Sequence, residues 1–321
     1  MSNNLFVSPS PHVKGDQSSQ TIMRDVIIAL LPALAVSTLY FGVNVLLVSA
    51  IAVASAVFFE FVIRRYLMNE TMGGDLSPIV TGLLLAFNLP ASIPLWIVVI
   101  GSLVAIAIAK MSFGGLGKNP FNPALVGRVF LLIAYPVQMT TFPAVKVDGA
   151  VDIFSGATPL TAVKAGFSTA EVNYQDMLFG SIPGSFGEVA SLVLLLGGVY
   201  LLFRHVITWH IPMAMLGSMA LFALIYSFAT GYDAFGALQF TLFHILAGGA
   251  ILGAVFMATD YTTSPMTHKG MVIFGVGIGV ITMLIRLWGA YPEGVSFAIL
   301  IMNSCVPLIN KYVKPKRFGT K

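Results

Sequence analysis

Charge is what this 321-residue chain has least of. Its 17 Lys and Arg and 13 Asp and Glu make up 9% of the residues, where a soluble domain carries roughly 25%. That scarcity excludes a cytosolic globular enzyme and a charge-rich disordered segment. Cysteine is nearly absent too: Cys305 alone permits no internal disulfide and no iron–sulfur cluster held by this chain by itself. The five histidines, His12, His205, His210, His244 and His268, are scattered, and no two share ligand spacing with a carboxylate, so no metal site is expected. Nucleotide-binding loops are missing as well. Gly114-Gly115-Leu116-Gly117-Lys118 lacks the phosphate-loop spacing, and Gly275, Gly277 and Gly279 miss the dinucleotide pattern at its last step. A net charge of +4 would suit nucleic acid, but in so apolar a chain the side on which basic residues fall matters more, and no nucleic-acid partner is expected.

Apolar residues take up the remainder, 57% in the broad count. Residues 26–59, 76–109, 205–232 and 234–259 contain no charge at all, and each run exceeds the roughly 20 residues a helix needs to cross a bilayer. Ten helical segments are predicted, near 26–42, 44–63, 77–89, 94–110, 121–135, 187–203, 209–229, 235–258, 270–288 and 295–312. Residues 1–25 form an N-terminal segment, 136–186 a long polar loop, and 313–321 a basic tail. With the N-terminus in the cytoplasm and sides alternating, only Lys146, Lys164 and Arg286 of the 17 basic residues fall outside. That bias places both termini inside and the loop 136–186 outside. The first apolar run follows 25 residues and continues to Phe41, which reads as a retained helix.

Five helices precede the long loop and five follow it, 26–135 and 187–312. Pro90 to Gly114 and Pro265 to Gly289 are both intervals of 24 residues. Since five is odd, two such repeats have opposite membrane orientation, the arrangement of transporters whose sites lie at interrupted helices. The breaks at Asn88–Pro90 and Asp260–Pro265 then become site candidates on opposite sides of the bilayer, with ordinary helix-end loops as the competing reading.

Among ionisable groups, Asp260 stands out: it follows the eighth segment beside Thr259, Thr262 and Thr263, hard oxygen donors suited to a cation. Glu60 and Glu188 sit at helix ends, where solvation accounts for them. Gly275 and Gly279, four apart, read as a close-packing helix face. In the long loop, Ser155-Gly156-Ala157-Thr158-Pro159 forms a turn in which Pro159 keeps Thr158 out of helical geometry and presents its hydroxyl. Taken alone, such a threonine is more often a cap than a modification site.

Four motifs go further. Ser-Pro-Ser-Pro-His at 8–12, Gly-Lys-Asn-Pro-Phe-Asn-Pro-Ala-Leu-Val-Gly-Arg at 117–128, Ser-Gly-Ala-Thr-Pro-Leu-Thr at 155–161 and Thr-Asp-Tyr-Thr-Thr-Ser-Pro at 259–265 resemble the RnfD/NqrB family of membrane redox pumps along nearly the whole chain. The short N-terminal segment is more similar to the RnfD branch. The resemblance implies an all-α membrane fold of ten helices in two inverted five-helix halves, like ammonium and urea channels. It implies FMN esterified through its phosphate to Thr158, with Ser155, Gly156 and Ala157 completing the motif, and riboflavin as a noncovalent second flavin. It also implies the other subunits of an Rnf complex as partners, in a bacterial cytoplasmic membrane. That complex couples electron transfer between ferredoxin and NAD to movement of Na⁺ or H⁺. Asp260, Thr259 and Asn88 are the expected ion-path residues. A channel without redox function, a purely scaffolding subunit and an NqrB-like subunit of a Na⁺-pumping NADH:quinone reductase are the alternatives. The Thr158 motif separates the redox readings from a channel, which needs no acceptor threonine.

Overall fold

The computed structural model of the protein describes residues 18–69, 74–143, 155–166, 169, 172–180, 182–187 and 191–314. The motif at 8–12, Glu188, Lys146 and the end of the basic tail lie outside them.

The chain is built almost wholly of helices. The first half contains α1 (Ser19–Phe41), α2 (Asn44–Val62), α3 (Ser77–Phe87), α4 (Leu95–Leu103) and α5 (Pro123–Ala134). A short α6 (Pro136–Thr140) leads to β1 (Phe142–Pro143), which pairs antiparallel with β2 (Ser155–Gly156). The region between the two halves then forms α7 (Pro159–Lys164) and α8 (Tyr174–Phe179). The second half contains α9 (Ser191–Phe203), α10 (His210–Ala229), α11 (Ala234–Leu246), α12 (Ala250–Leu252), α13 (His268–Trp288) and α14 (Val295–Tyr312).

Six of these helices, some with their continuations, are long and apolar enough to span a membrane, seven with the bent pair α11 and α12; α3, α5 and α9 are shorter apolar helices. The protein is a multi-pass membrane protein. Exposed Leu, Ile and Phe side chains along α1, α2, α9 and α10 fit a surface whose solvent is lipid rather than water.

Two expectations are corrected. α1 begins at Ser19, seven residues before the apolar run, because Ser18 caps it by accepting from the Thr21 N–H at 3.2 Å; the extra turns carry Asp25, buried against Arg204 at 3.1 Å. The eighth segment is not one helix. It breaks after Leu246 and bends by 60°, because Gly248 and Gly249 both take φ of 63°, a left-handed conformation that glycine enters at little cost.

Three π-helical turns interrupt the spans: Ile63–Leu67 after α2, Val104–Ile108 after α4 and Gly253–Met257 after α12. Such turns insert an extra residue and re-aim the next stretch of chain. Here they flank Glu60, Lys110 and Asp260.

The glycine face of α13 packs as its spacing predicts. A Cβ at Gly275 would lie 2.9 Å from the Ile211 carbonyl oxygen of α10, and one at Gly279 would lie 2.6 Å from that of Met215. Only a bare backbone allows this approach. Two hydrogen bonds tie the halves together: the Gly187 N–H donates to the Phe87 carbonyl at 2.9 Å, and the Ser37 hydroxyl donates to that of Phe186 at 2.6 Å.

Candidate functional sites on two levels

The first site surrounds Thr158, whose side chain is the N-cap of α7 and accepts from the Thr161 N–H at 3.3 Å. The two threonine hydroxyls are 3.0 Å apart. The turn holds Thr158 as expected, but the residue is 3% exposed rather than displayed, while its neighbour Ala157 is exposed. Ser155 and Gly156 supply β2.

The segment docks on the helix break. Leu160 belongs to an apolar cluster with Met177, Ile182, Phe243 and Ala247. The Tyr174 hydroxyl donates to the Gln239 carbonyl at 3.1 Å, and Lys164 donates to the carbonyls of Gly289 and Tyr291. At the break itself, Arg286 donates to the carbonyls of His244 at 2.5 Å, Ala247 at 2.8 Å and Gly248 at 3.3 Å. A guanidinium thus satisfies backbone groups that lipid could not. Arg128 is buried within α5, ion-paired with Glu293 and bonded to Ser296.

The second site is a partly open cavity between the halves, lined by apolar residues of α1, α3 and α9 and by Ser77, Thr81, Lys110, Asn119, Asn122, Thr259, Asp260 and Thr262. Asp260 receives hydrogen bonds from the Thr262 N–H at 3.3 Å and from the hydroxyls of Thr262 at 3.0 Å and Thr263 at 3.2 Å. Burial pushes its carboxyl above the usual carboxylate range; these hydrogen bonds and the charge of Lys110 oppose that push without cancelling it. Thr259 lines the cavity, but its hydroxyl turns back to the Val255 carbonyl at 2.6 Å. Asn119 binds Phe121 and Thr262 through its amide nitrogen, while its side-chain oxygen is buried without a partner.

Asn88 is buried, giving its amide to the Leu84 carbonyl at 2.6 Å and to the sulfur of Met257 at 3.8 Å. The interruptions at Asn88 and Asp260 therefore converge at Met257. Asn122 joins them there: its amide donates to the Met257 carbonyl at 3.2 Å while its oxygen caps α5.

Beside the cavity lies a group that sequence reading passed over. Glu60, expected at a solvated helix end, is 1% exposed, and so is Lys110. Lys110 Nζ donates to Glu60 Oε2 and to Ser77 Oγ, both at 2.5 Å. Ser77 Oγ donates to Asp75 Oδ1 at 2.5 Å, Arg64 binds Asp75 Oδ2 at 2.9 Å, and Arg64 returns to Glu60 Oε1 at 2.7 Å. The five side chains close a ring with two positive and two negative charges. The available signal was that Glu60 and Lys110 bound the charge-free runs; nothing in the sequence showed that they face each other. Among the described residues no group of three His, Cys, Asp or Glu could hold a metal ion.

Buried charges and an interrupted backbone between apolar helices define an integral membrane protein with candidate functional sites in its interior. The chain belongs to the NQR2, RnfD, RnfE family, whose model matches residues 6–319. It is 46% identical to the D subunit of the Na⁺-translocating ferredoxin:NAD⁺ oxidoreductase complex of Acetobacterium woodii, over 98% of this chain and 96% of that one. It is 42% identical to the D subunit of the proton-translocating ferredoxin:NAD⁺ oxidoreductase complex of Clostridium ljungdahlii, over 99% and 97%. Identity to the D subunit of the ion-translocating oxidoreductase complex of Vibrio cholerae is 39%, over 98% and 99%. These relatives are subunits of ion-translocating oxidoreductase complexes.

Proposed function

We propose that this protein is the flavin-bearing membrane subunit of an Rnf-type complex, coupling electron transfer between ferredoxin and NAD to translocation of Na⁺ or H⁺. The observation that carries this reading is full-length membership of the family together with a Thr158 whose hydroxyl oxygen is fixed on an ordered turn against the helix break. The remaining subunits of such a complex are its partners.

The Thr158 site fits a phosphoester. An ester oxygen keeps the lone pair that caps the Thr161 N–H, so attachment leaves the start of α7 intact. It removes the hydroxyl proton and opens the cover over Thr158, and exposed Ala157 gives a way out. Ser155 and Gly156 hold the turn through β2. Bound there, FMN supplies one- and two-electron redox chemistry, and the chain supplies its position.

The cavity fits a second, noncovalent flavin of the riboflavin type. Its walls are mostly apolar with few polar groups, the lining typical of a small-molecule site. The unpartnered Asn119 oxygen is an acceptor awaiting an N–H, and the amide of a flavin ring offers one. Asp260, Thr259 and Asn88 remain the ion-path candidates: Asp260 and Thr259 line the cavity, and Asn88 packs against Met257 just before them.

For topology we propose two inverted five-helix halves, channel-like in plan. The six long helices, the bent pair and the three shorter apolar helices provide ten segments in the predicted order. Both termini lie in the cytoplasm and the Thr158 segment on the outer face of a bacterial cytoplasmic membrane.

The test is ultraviolet fluorescence of the denatured subunit on a gel. A fluorescent band that Thr158→Ala abolishes is expected; no band in the parent, or one that survives the substitution, defeats the assignment.

A further inference from the structure

The closed ring of Glu60, Arg64, Asp75, Ser77 and Lys110 has a property that its members lack singly. It is electrically balanced only while the Lys110 ammonium is seated. Removal of that ammonium leaves one net negative charge and a set of hard oxygens: Glu60 Oε2, Ser77 Oγ and, one hydrogen bond further, Asp75 Oδ1. Oxygens of this kind bind small inorganic cations.

Lys110 also has somewhere to go. It lines the cavity together with Asp260 and Asn119, and its charge reaches the Asp260 carboxyl. Lysine suits such a move, being a point charge on a flexible four-carbon stem, where arginine would be held by its planar fork. Its place two residues after the π turn Val104–Ile108 puts it where the backbone is already out of regular helical register.

We propose that Lys110 is a tethered cation that shares its oxygen site with one monovalent cation from solution, yielding the site when negative charge enters the cavity. This rests on the reading above that the cavity holds a redox-active flavin. One electron, originating from reduced ferredoxin, adds one negative charge there; the ammonium turns toward it. The ring, then one charge short, takes up one Na⁺ or one H⁺. When the electron leaves, the ammonium returns and the cation is expelled. No covalent bond is made or broken when Na⁺ is the ion; when H⁺ is, it adds to a ring carboxylate and departs from it. The coupling is obligatory because the site has room for one positive charge, so a cation cannot bind without a differential in the two charge states.

The experiment uses the whole complex in sealed proteoliposomes, measuring Na⁺ uptake with a radioactive tracer and H⁺ uptake with a pH-sensitive dye, per NADH formed from reduced ferredoxin. Lys110→Met makes the site a permanent cation site, and the number of cations moved per NADH is expected to fall roughly fivefold or more, the scale of a modest coupling energy. Which signal falls identifies the ion. Lys110→Met with Glu60→Gln removes one charge of each sign and serves where the single variant fails to assemble; the same loss is expected. A parent-like ratio in either variant overturns the proposal. Acid extraction of noncovalent flavin from the same parent preparation keeps the two readings apart: no extractable flavin refutes the cavity flavin, while the coupling ratio judges Lys110.

Discussion

Arg286 donates to the carbonyl of His244, 2.5 Å away and 42 positions earlier in the chain, and so caps the broken end of α11 inside the protein. The same guanidinium reaches Ala247 and Gly248. A Cβ at Gly248 would lie 2.2 Å from Leu160 and 2.9 Å from Arg286, so the cap, the break and the Thr158 segment meet at a single glycine. The contacts that hold the bent helix therefore also hold the platform on which the Thr158 segment rests.

Replacement of Arg286 by Leu should leave several carbonyls without donors in apolar surroundings, at a cost of about 1–3 kcal/mol for each group left unsatisfied. A lower melting temperature in detergent and faster proteolytic cleavage near 247–249 are expected. Parent-like melting and protection would mean that the break is held by other contacts.

Close approach of α13 to α10 gives a second prediction. Gly279→Val should destabilise the protein by about 1–3 kcal/mol through overpacking, since its Cβ would meet the backbone at 2.6 Å. Gly217→Ala, on α10 itself, meets nothing within 4 Å and should be neutral or slightly stabilising through helix propensity. Thermal unfolding of the two variants side by side checks both; equal effects would contradict the packing argument.

Much of this was legible in the sequence, and the division has physical causes. Element order follows from hydrophobic run length, which periodicity and composition report directly. The glycine face of α13 was readable for the same reason, since i and i+4 share a helix face. The break at Gly248–Gly249 was not, because uninterrupted apolarity looks the same in a straight helix and a bent one. The ring around Lys110 was hidden because it joins residues 50 and 33 positions apart, a relation set by tertiary packing. For Asp260 the position beside hydroxyls was evident, but its convergence with Asn88 at Met257 needed the fold.

For Asp260, the pH dependence has a definite sign. Its carboxyl is held above the usual range by burial, so the folded state binds the proton more tightly than the unfolded chain does. The stabilisation is complete below the ordinary carboxylate pKa and is lost as pH rises through the raised value. The melting temperature of the parent should thus decline over that window more than that of Asp260→Asn. Identical pH profiles would show that the carboxyl titrates as if it were in water.

Thr158 has a structural role that is separable from its chemistry. Thr158→Ser keeps an N-cap oxygen and an acceptor hydroxyl, whereas Thr158→Ala loses both, with a cap penalty of about 1 kcal/mol. Amide exchange of residues 160–166 should be faster in the alanine variant and near the parent rate in the serine variant. Equal exchange in all three would remove the cap from the account.

The proposed flavin at Thr158 would carry the electrons whose passage drives a cation across the membrane. The most direct measurement compares whole complexes containing the parent or Thr158→Ala subunit, reconstituted in proteoliposomes, for NAD reduction by reduced ferredoxin and for accumulation of Na⁺ or H⁺. The account predicts that the parent does both and that the alanine variant, assembled to the same level, loses both together. An alanine variant that reduces NAD and accumulates the cation at parent rates would contradict it.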